Sequence, residues 1–408
     1  MRLLKLGIYH GTYLQNFYAK RVALKTQSYD NQHRALIKDA FGSSDFWTSA
    51  LNKLNYETTD LIANAEFLQK TWASENNCKF NEETWLFEIA TAQIKKFRPD
   101  ILLVADYSTF TADFLKNLRR ECPSIRLVLG WCGAPYQNLS VFREWDVALS
   151  CVPEMVQGFR AEGIQSYHVN HAFAPRILND LDLKTAAKVD LAFIGSILKQ
   201  NQFHLERERL LLRLVESTNL QIWSDIKRPT FKHRQNRLIR RKIHDLATFA
   251  PEKLQNAFPL TRKIVAWKPL LLSEEYIDRK IIRRTHPPIF GLEMFQKLRD
   301  SRVVFNNHID ISPESASNMR LFETTGVGAC LLTDWKKNLP ELFEPDKEVL
   351  TYRTAEECVE KVKYLLENEE TRRSIAEAGQ RRTLREHTFE NRAARIDEII
   401  RQSLTSTT

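Results

Sequence analysis

The sequence predicts an α/β protein built from two Rossmann-like domains with parallel sheets. Three observations lead there. The chain has 408 residues, and at roughly 100–200 residues per domain two are expected first. Short apolar runs of four to eight residues alternate with helical patterns, which implies right-handed βαβ units. The alternation occurs as two series, separated by the polar segment DLDLKTAAK at 180–188.

In the first series, LLKLGIY (3–9), DILLVAD (100–106), IRLVLGW (125–131) and DVALSCV (146–152) read as buried parallel strands. Between them TWLFEIATAQIKKF (84–97) and TADFLKNLRREC (111–122) read as helices. Leu86, Ile89, Ala90 and Ile94 recur on one 3.6-residue face, with Gln93 its one polar member. The second series runs VDLAFIGS (189–196), LQIWSD (220–225), SRVVFNNH (301–308) and GACLLTD (328–334). The helix at 354–368 opens on Thr354 and Glu357, a capping box, with Val359, Val362 and Leu366 as its expected stripe. Further helices are expected near 370–385 and 389–403. These boundaries give an N-terminal domain over 1–180, a C-terminal domain over 189–385, and a last helix in 386–408 that returns to the first domain. Residues 226–286 interrupt the second series and read as a helical insertion, basic and weakly periodic.

Composition narrows the class. Hydrophobic residues make up 43% and charged residues 27%, enough apolar material for real cores. No run approaches the ~20 apolar residues that span a bilayer, and the start has no apolar signal region. Six scattered cysteines without CxxC spacing suggest reduced thiols and a cytoplasmic setting. Net charge is +9, and eight of those charges fall in IKRPTFKHRQNRLIRRKIH (226–244), which contains no acid. The body is therefore near neutral, and one segment is built to meet something anionic. A peripheral contact with anionic lipid at the inner face of the membrane fits this segment, as does an anionic acceptor. Nucleic acid fits less well, because Phe231 is its one stacking residue.

The stretch NMRLFETTGVGACLLTD (318–334) carries the chemistry. It follows the strand ending at His308, and a helix is expected to begin near Ser315, Ser317 and Asn318. Ligands of open α/β sheets bind at the carboxyl ends of strands, and a helix N-terminus there suits a diphosphate. Glu323 lies one to two turns in, where a carboxylate can grip a vicinal diol such as ribose. Arg320 is one turn away, so a solvated i, i+3 ion pair of little energetic weight is the competing reading. Gly326 and Gly328 read as helix-end and turn residues. Gly195, Ser196 and Lys199 follow the first strand of the second series, where backbone and a cation could meet phosphate. His10 follows the first strand of the first series and is the candidate general base, with His171 and Asp106 near other strand ends. Asp180 and Asp182 lie in the linker, not at a sheet edge, and no cluster reads as a metal site.

RLFETTGVGACLLTD, followed by NLPELFEPDKEVLTY and AEAGQRRTLREHTFENRA, resembles the C-terminal domain of CgeB-like (spore-maturation-protein-type) glycosyltransferases, over about His286–Arg392. HAFAP (171–175) is similar to their segment before the interdomain crossing. The resemblance implies the GT-B fold and transfer of a sugar from a nucleotide-sugar to an acceptor in the interdomain cleft, without a cofactor or metal. It implies a donor on the second domain and an acceptor, lipid-linked or anionic, on the first. Related group 1 enzymes place a ribose-contacting glutamate five residues before a glycine, the spacing of Glu323 and Gly328. They often carry another glutamate eight residues earlier, where this chain has Ser315. Gly291, in HPPIFGLEMF, matches the family pattern and would allow close approach of the donor. The alternatives are a nucleotide- or sugar-binding protein of the same fold without turnover, and an anionic-surface-binding protein using the basic segment.

Overall fold

The computed structural model describes residues 1–198, 205–226, 228, 230–249, 251, 263–265, 276–308 and 312–405. Its strands form two six-stranded sheets in which every pairing is parallel.

The first sheet contains β1 (Arg2–Gly7), β2 (Glu57–Ile62), β3 (Ile101–Val104), β4 (Leu127–Trp131), β5 (Val147–Ser150) and β6 (Ser166–His168), in the order β2-β1-β3-β4-β5-β6. Around it lie α1 (Gly11–Lys20), α2 (Tyr29–Lys38), α3 (Phe46–Asn52), α4 (Glu66–Glu75), α5 (Trp85–Phe97), α6 (Ala112–Glu121) and α7 (Pro153–Ala161). Leu3, Leu4 and Leu6 are all buried, as expected for a strand covered on both faces. Lys5 in the same strand is buried too, and its charge is offset by Asp60 Oδ1 on β2 at 2.7 Å.

The second sheet contains β7 (Val189–Ile194), β8 (Leu220–Trp223), β9 (Thr285–His286), β10 (Ser301–Asn306), β11 (Cys330–Asp334) and β12 (Leu350–Tyr352), in the order β12-β11-β10-β7-β8-β9. Its helices are α8 (Leu205–Ser217), α9 (Phe231–Phe249), α10 (Arg279–Arg283), α11 (Gly291–Arg299), α12 (Arg320–Gly326), α13 (Leu339–Leu342), α14 (Ala355–Glu367), α15 (Glu369–Glu386) and α16 (Phe389–Thr405). In α14, Thr354 Oγ1 accepts from Glu357 N at 3.1 Å and so caps the helix. Its deepest stripe is Cys358, Val362 and Leu365; Val359 and Leu366, named from the sequence, sit at the edges of that stripe.

One core runs through both units. Phe389 at the head of α16 packs on Phe46 and Trp47 of α3, with centroids 5.1 and 4.9 Å apart. Ile396, Ile399 and Ile400 follow on the same face, and Tyr56 donates to Asp397 at 2.6 Å. The last helix thus packs on the first sheet's side of the molecule. The crossing is clamped at Phe173, whose N–H donates to His387 O at 2.9 Å and whose carbonyl accepts from Phe389 N at 3.2 Å.

Each sheet reverses its strand order once, between β1 and β3 and between β7 and β10. These are the switch points where open α/β sheets leave a crevice. The loops that leave them carry His10 and Asp106 from the first sheet, and Gly195, Ser196, Asn307 and His308 from the second.

Candidate functional site

The second switch point is held by a buried arginine. Arg207, on α8, donates to Ser196 O at 2.9 Å and to Asn307 O at 2.5 Å, joining the loops after β7 and β10. A fixed positive charge and an ordered loop pair at this position suit an anionic ligand. Its signal was absent from the sequence, where ERERLL reads as an ordinary helix surface. Gly195 N donates to Trp223 O at 3.1 Å, which continues the β7–β8 ladder, and Ser196 is exposed. Lys199 lies outside the described residues.

His308 is almost fully buried. Its N–H and Nδ1 both meet Asp334 Oδ1, at 3.0 and 2.7 Å. Burial opposes ionisation of Asp334, but His308 and Lys336, 3.3 Å away, hold its carboxyl down at about 2. The ionised carboxylate orients the imidazole through Nδ1. His308 Nε2 is buried with no hydrogen-bond partner among the described residues, so its capacity is unspent.

The loop before α12 is fixed from several sides. Ala316 N donates to Asn338 Oδ1 at 2.6 Å, and Asn338 Nδ2 returns a bond to Ala316 O at 3.1 Å. Asn318 Nδ2 donates to Asn306 Oδ1 at 2.8 Å, tying the loop to the end of β10. Ser312 Oγ donates to Ser315 O at 2.6 Å. Ser317 is buried in the same loop. The helix itself begins at Arg320, not at 315–318. It is seven residues long, so its dipole is small and its N-terminus offers little to an anion.

Glu323 is not a surface charge. It is 6% exposed, and its Oε2 accepts from Arg320 Nη1 at 2.7 Å. Burial raises its carboxyl above the ordinary value, and Arg320 only partly offsets that. The solvated ion-pair reading is therefore corrected: the pair is largely enclosed and costly to separate. Gly326 also differs from its expected role. A Cβ there would stand 2.3 Å from Phe173 Cγ, so this glycine lets α12 lie against the crossing segment. Gly328, with φ +76°, is the turn residue. Gly291 has φ +56°, and a Cβ would meet Asp39 O at 2.2 Å. The close approach it permits is to the first unit, where Leu292 N donates to that same carbonyl at 2.8 Å.

Opposite these residues stands the first sheet. His10 is exposed, just before α1, with its ring 6.4 Å from that of Phe290. Thr12 Oγ1 donates to Asp225 Oδ2, beyond β8, at 3.0 Å. Asp106 is spent on its own turn, accepting from Ser108 Oγ at 2.8 Å and Thr109 N at 2.8 Å. His171 has its imidazole lowered to about 4 by desolvation and by Arg392, which leaves it a weak base. Glu154, at the start of α7, was not singled out in the sequence. Its Oε1 accepts from Ser315 Oγ at 2.9 Å, and its Oε2 is buried with no partner among the described residues. Asp182 caps the N–H groups of Lys184 and Thr185, at 2.9 and 3.2 Å, and serves the linker turn. Among the described residues no group of three or more His, Cys, Asp or Glu could hold a metal ion.

Residues 252–398 match a family described as glycosyl transferase-like. No curated protein matches the chain. Among solved structures, sucrose-phosphate synthase from Thermosynechococcus elongatus aligns over 100% of both chains at 10% identity, with a TM-score of 0.52. A glycosyltransferase from Rickettsia africae aligns over 99% of this chain and 98% of its own at 10% identity, with a TM-score of 0.52. HepE from Anabaena, in complex with UDP-glucose, aligns over 98% of this chain and 100% of its own at 8% identity, with a TM-score of 0.53. The chain has the two-sheet GT-B architecture, and its C-terminal part is similar to glycosyl transferase-like sequences.

Proposed function

We propose that the protein is a glycosyltransferase of the CgeB-like kind. It moves a sugar from a nucleotide-sugar to a hydroxyl acceptor between the two sheets. The observation that carries this reading is the glycosyl transferase-like match over 252–398, which contains Arg320, Glu323 and His308 on a GT-B frame. A fold neighbour is bound to UDP-glucose, which makes a UDP-sugar the first donor to try.

In this reading the acceptor oxygen attacks the anomeric carbon, the bond to the β-phosphate oxygen breaks, and the nucleoside diphosphate leaves with the electron pair. Glu323 accepts hydrogen bonds from the ribose diol while Arg320 holds its other side. Gly195, Ser196, Lys199 and the charge of Arg207 receive the diphosphate. Ser315, Ser317 and Asn318 order the loop beside it. His308 offers Nε2 to the donor, oriented by Asp334. His10 takes the acceptor proton. Gly291 contributes by docking the two units. The setting is cytoplasmic, and no cofactor or metal takes part.

Calorimetry with UDP, GDP, ADP and dTDP, followed by turnover of the matching nucleotide-sugars, tests the proposal. Binding of one nucleotide and its loss in Glu323→Ala are expected. If wild type binds none, or if Glu323→Ala binds equally well, the donor site is not here.

A further inference from the structure

We propose that α9 lies flat on an anionic phospholipid bilayer and seats the protein on the membrane surface. The helix runs from Phe231 to Phe249 without interruption, and none of its residues is buried. At 100° per residue, Phe231, Leu238, Ile239, Ile243, Leu246 and Phe249 fall within an arc of about 140°. A face of this kind ordinarily covers a core. Here Phe231 is 77% exposed, Leu246 73% and Phe249 90%. Within the weakly periodic stretch 226–286, residues Phe231–Phe249 thus form one amphipathic helix.

The charge decides what the face meets. Six Lys/Arg lie in the helix and Asp245 is its one acid, so it carries +5. Arg234 and Arg241 flank one side of the apolar arc, and Lys232 and Lys242 lie within it. Their long stems can follow apolar surface while the charges reach phosphate. An apolar partner protein would leave those cations unmatched, and a purely anionic partner would leave the phenylalanines in water. A bilayer rich in anionic lipid satisfies both. No helix among the described residues is long and apolar enough to cross a membrane, so the contact is along the surface.

The helix follows β8, whose carboxyl end faces the first unit: Thr12 of α1 bonds Asp225 just beyond that strand. Arg228 Nη2 fastens the start of the segment to Thr285 O at 2.9 Å. A seated α9 therefore brings the mouth between the sheets to the bilayer, where a lipid-carried acceptor presents its hydroxyl. That last consequence rests on the proposed transfer, but lipid binding does not.

Co-sedimentation of the full chain with phosphatidylcholine vesicles, with and without phosphatidylglycerol, tests the inference in the absence of any sugar donor. Binding to the anionic vesicles is expected to exceed binding to the neutral ones by about tenfold or more at low salt. Leu246→Ser with Phe249→Ser, and separately Arg234→Glu with Arg241→Glu, should each lower it about tenfold. Leu246, Phe249 and Arg241 are exposed and Arg234 is half-buried, so the melting temperatures of both variants should match wild type. Equal sedimentation with and without phosphatidylglycerol overturns the proposal. So does loss in the charge variant alone together with tight binding to duplex DNA, which would assign a polyanion surface instead. Vesicle binding without turnover would sink the transfer reading and leave this one standing.

Discussion

Ser315 Oγ donates a 2.9 Å hydrogen bond to Oε1 of Glu154, a residue 161 positions away on the other sheet's side. Ser315 thus holds a carboxylate supplied from the first sheet's side. The second oxygen of Glu154 is buried and unpartnered among the described residues, an arrangement that costs energy unless a ligand completes it. Glu154→Gln keeps the serine's partner and removes the charge. It should lower kcat by about tenfold or more while nucleotide affinity changes little. Steady-state kinetics with the donor found by calorimetry checks this. An unchanged kcat would reduce Glu154 to a domain contact.

Glu323 makes a different prediction, because its proposed role is in binding. Losing a charged acceptor costs about 2 kcal/mol, so Glu323→Ala should weaken nucleotide binding about 30-fold. It also strands Arg320, whose side chain is 16% exposed and so keeps some hydration. The stability loss should be about 1–3 kcal/mol, below that of a fully buried pair. Denaturant titration and calorimetry on the same sample separate the two effects. A stability loss with unchanged affinity would make the pair structural.

Histidine 387 gives the fold a pH dependence. Nε2 lies 2.7 Å from Leu342 O and Nδ1 2.8 Å from Arg392 Nη2, which fixes a neutral ring with its proton on Nε2. Burial lowers its pKa from 6.5 to about 4, and Arg392 adds to that against the pull of the Leu342 carbonyl. The folded value is below the unfolded one, so the unfolded chain binds the extra proton first. Stability is full above pH 6.5 and is lost as pH falls toward 4, by about 3 kcal/mol for this group. His387→Gln can keep the bond to Leu342 without titrating. Its melting temperature should fall less than that of wild type between pH 7 and pH 4.5. Parallel curves would show that the ring protonates freely.

Eight of the strands were legible as apolar runs in the sequence, and four were not. β2, ETTDLI, is an edge strand whose first half is polar and at most half-buried, so it lacks an apolar run. β6, β9 and β12 span three, two and three residues, too short for any period to appear. The 318–334 stretch stands out in the sequence through its motif, but the burial of Glu323 does not, since a lone glutamate near a helix start is most often solvated. Arg207, Glu154 and the His387 imidazole depend on partners 100, 161 and 45 residues away, and no local pattern marks such pairs.

Gly326 offers the sharpest packing test. It ends α12 with the Phe173 ring directly over the position a Cβ would take, 2.3 Å from Cγ. Phe173 is itself pinned on both sides by His387 and Phe389, so it cannot step aside without opening the crossing. Gly326→Ala should therefore destabilise by about 1–3 kcal/mol, although alanine is the better helix former. Gly11→Ala, with open space at its Cβ, serves as the control and should be near neutral. Adding Phe173→Leu to Gly326→Ala should recover part of the loss, a coupling that independent sites would not show. If Gly326→Ala melts with wild type, the crossing is looser than its hydrogen bonds indicate, and the two sheets are not held in register by this contact.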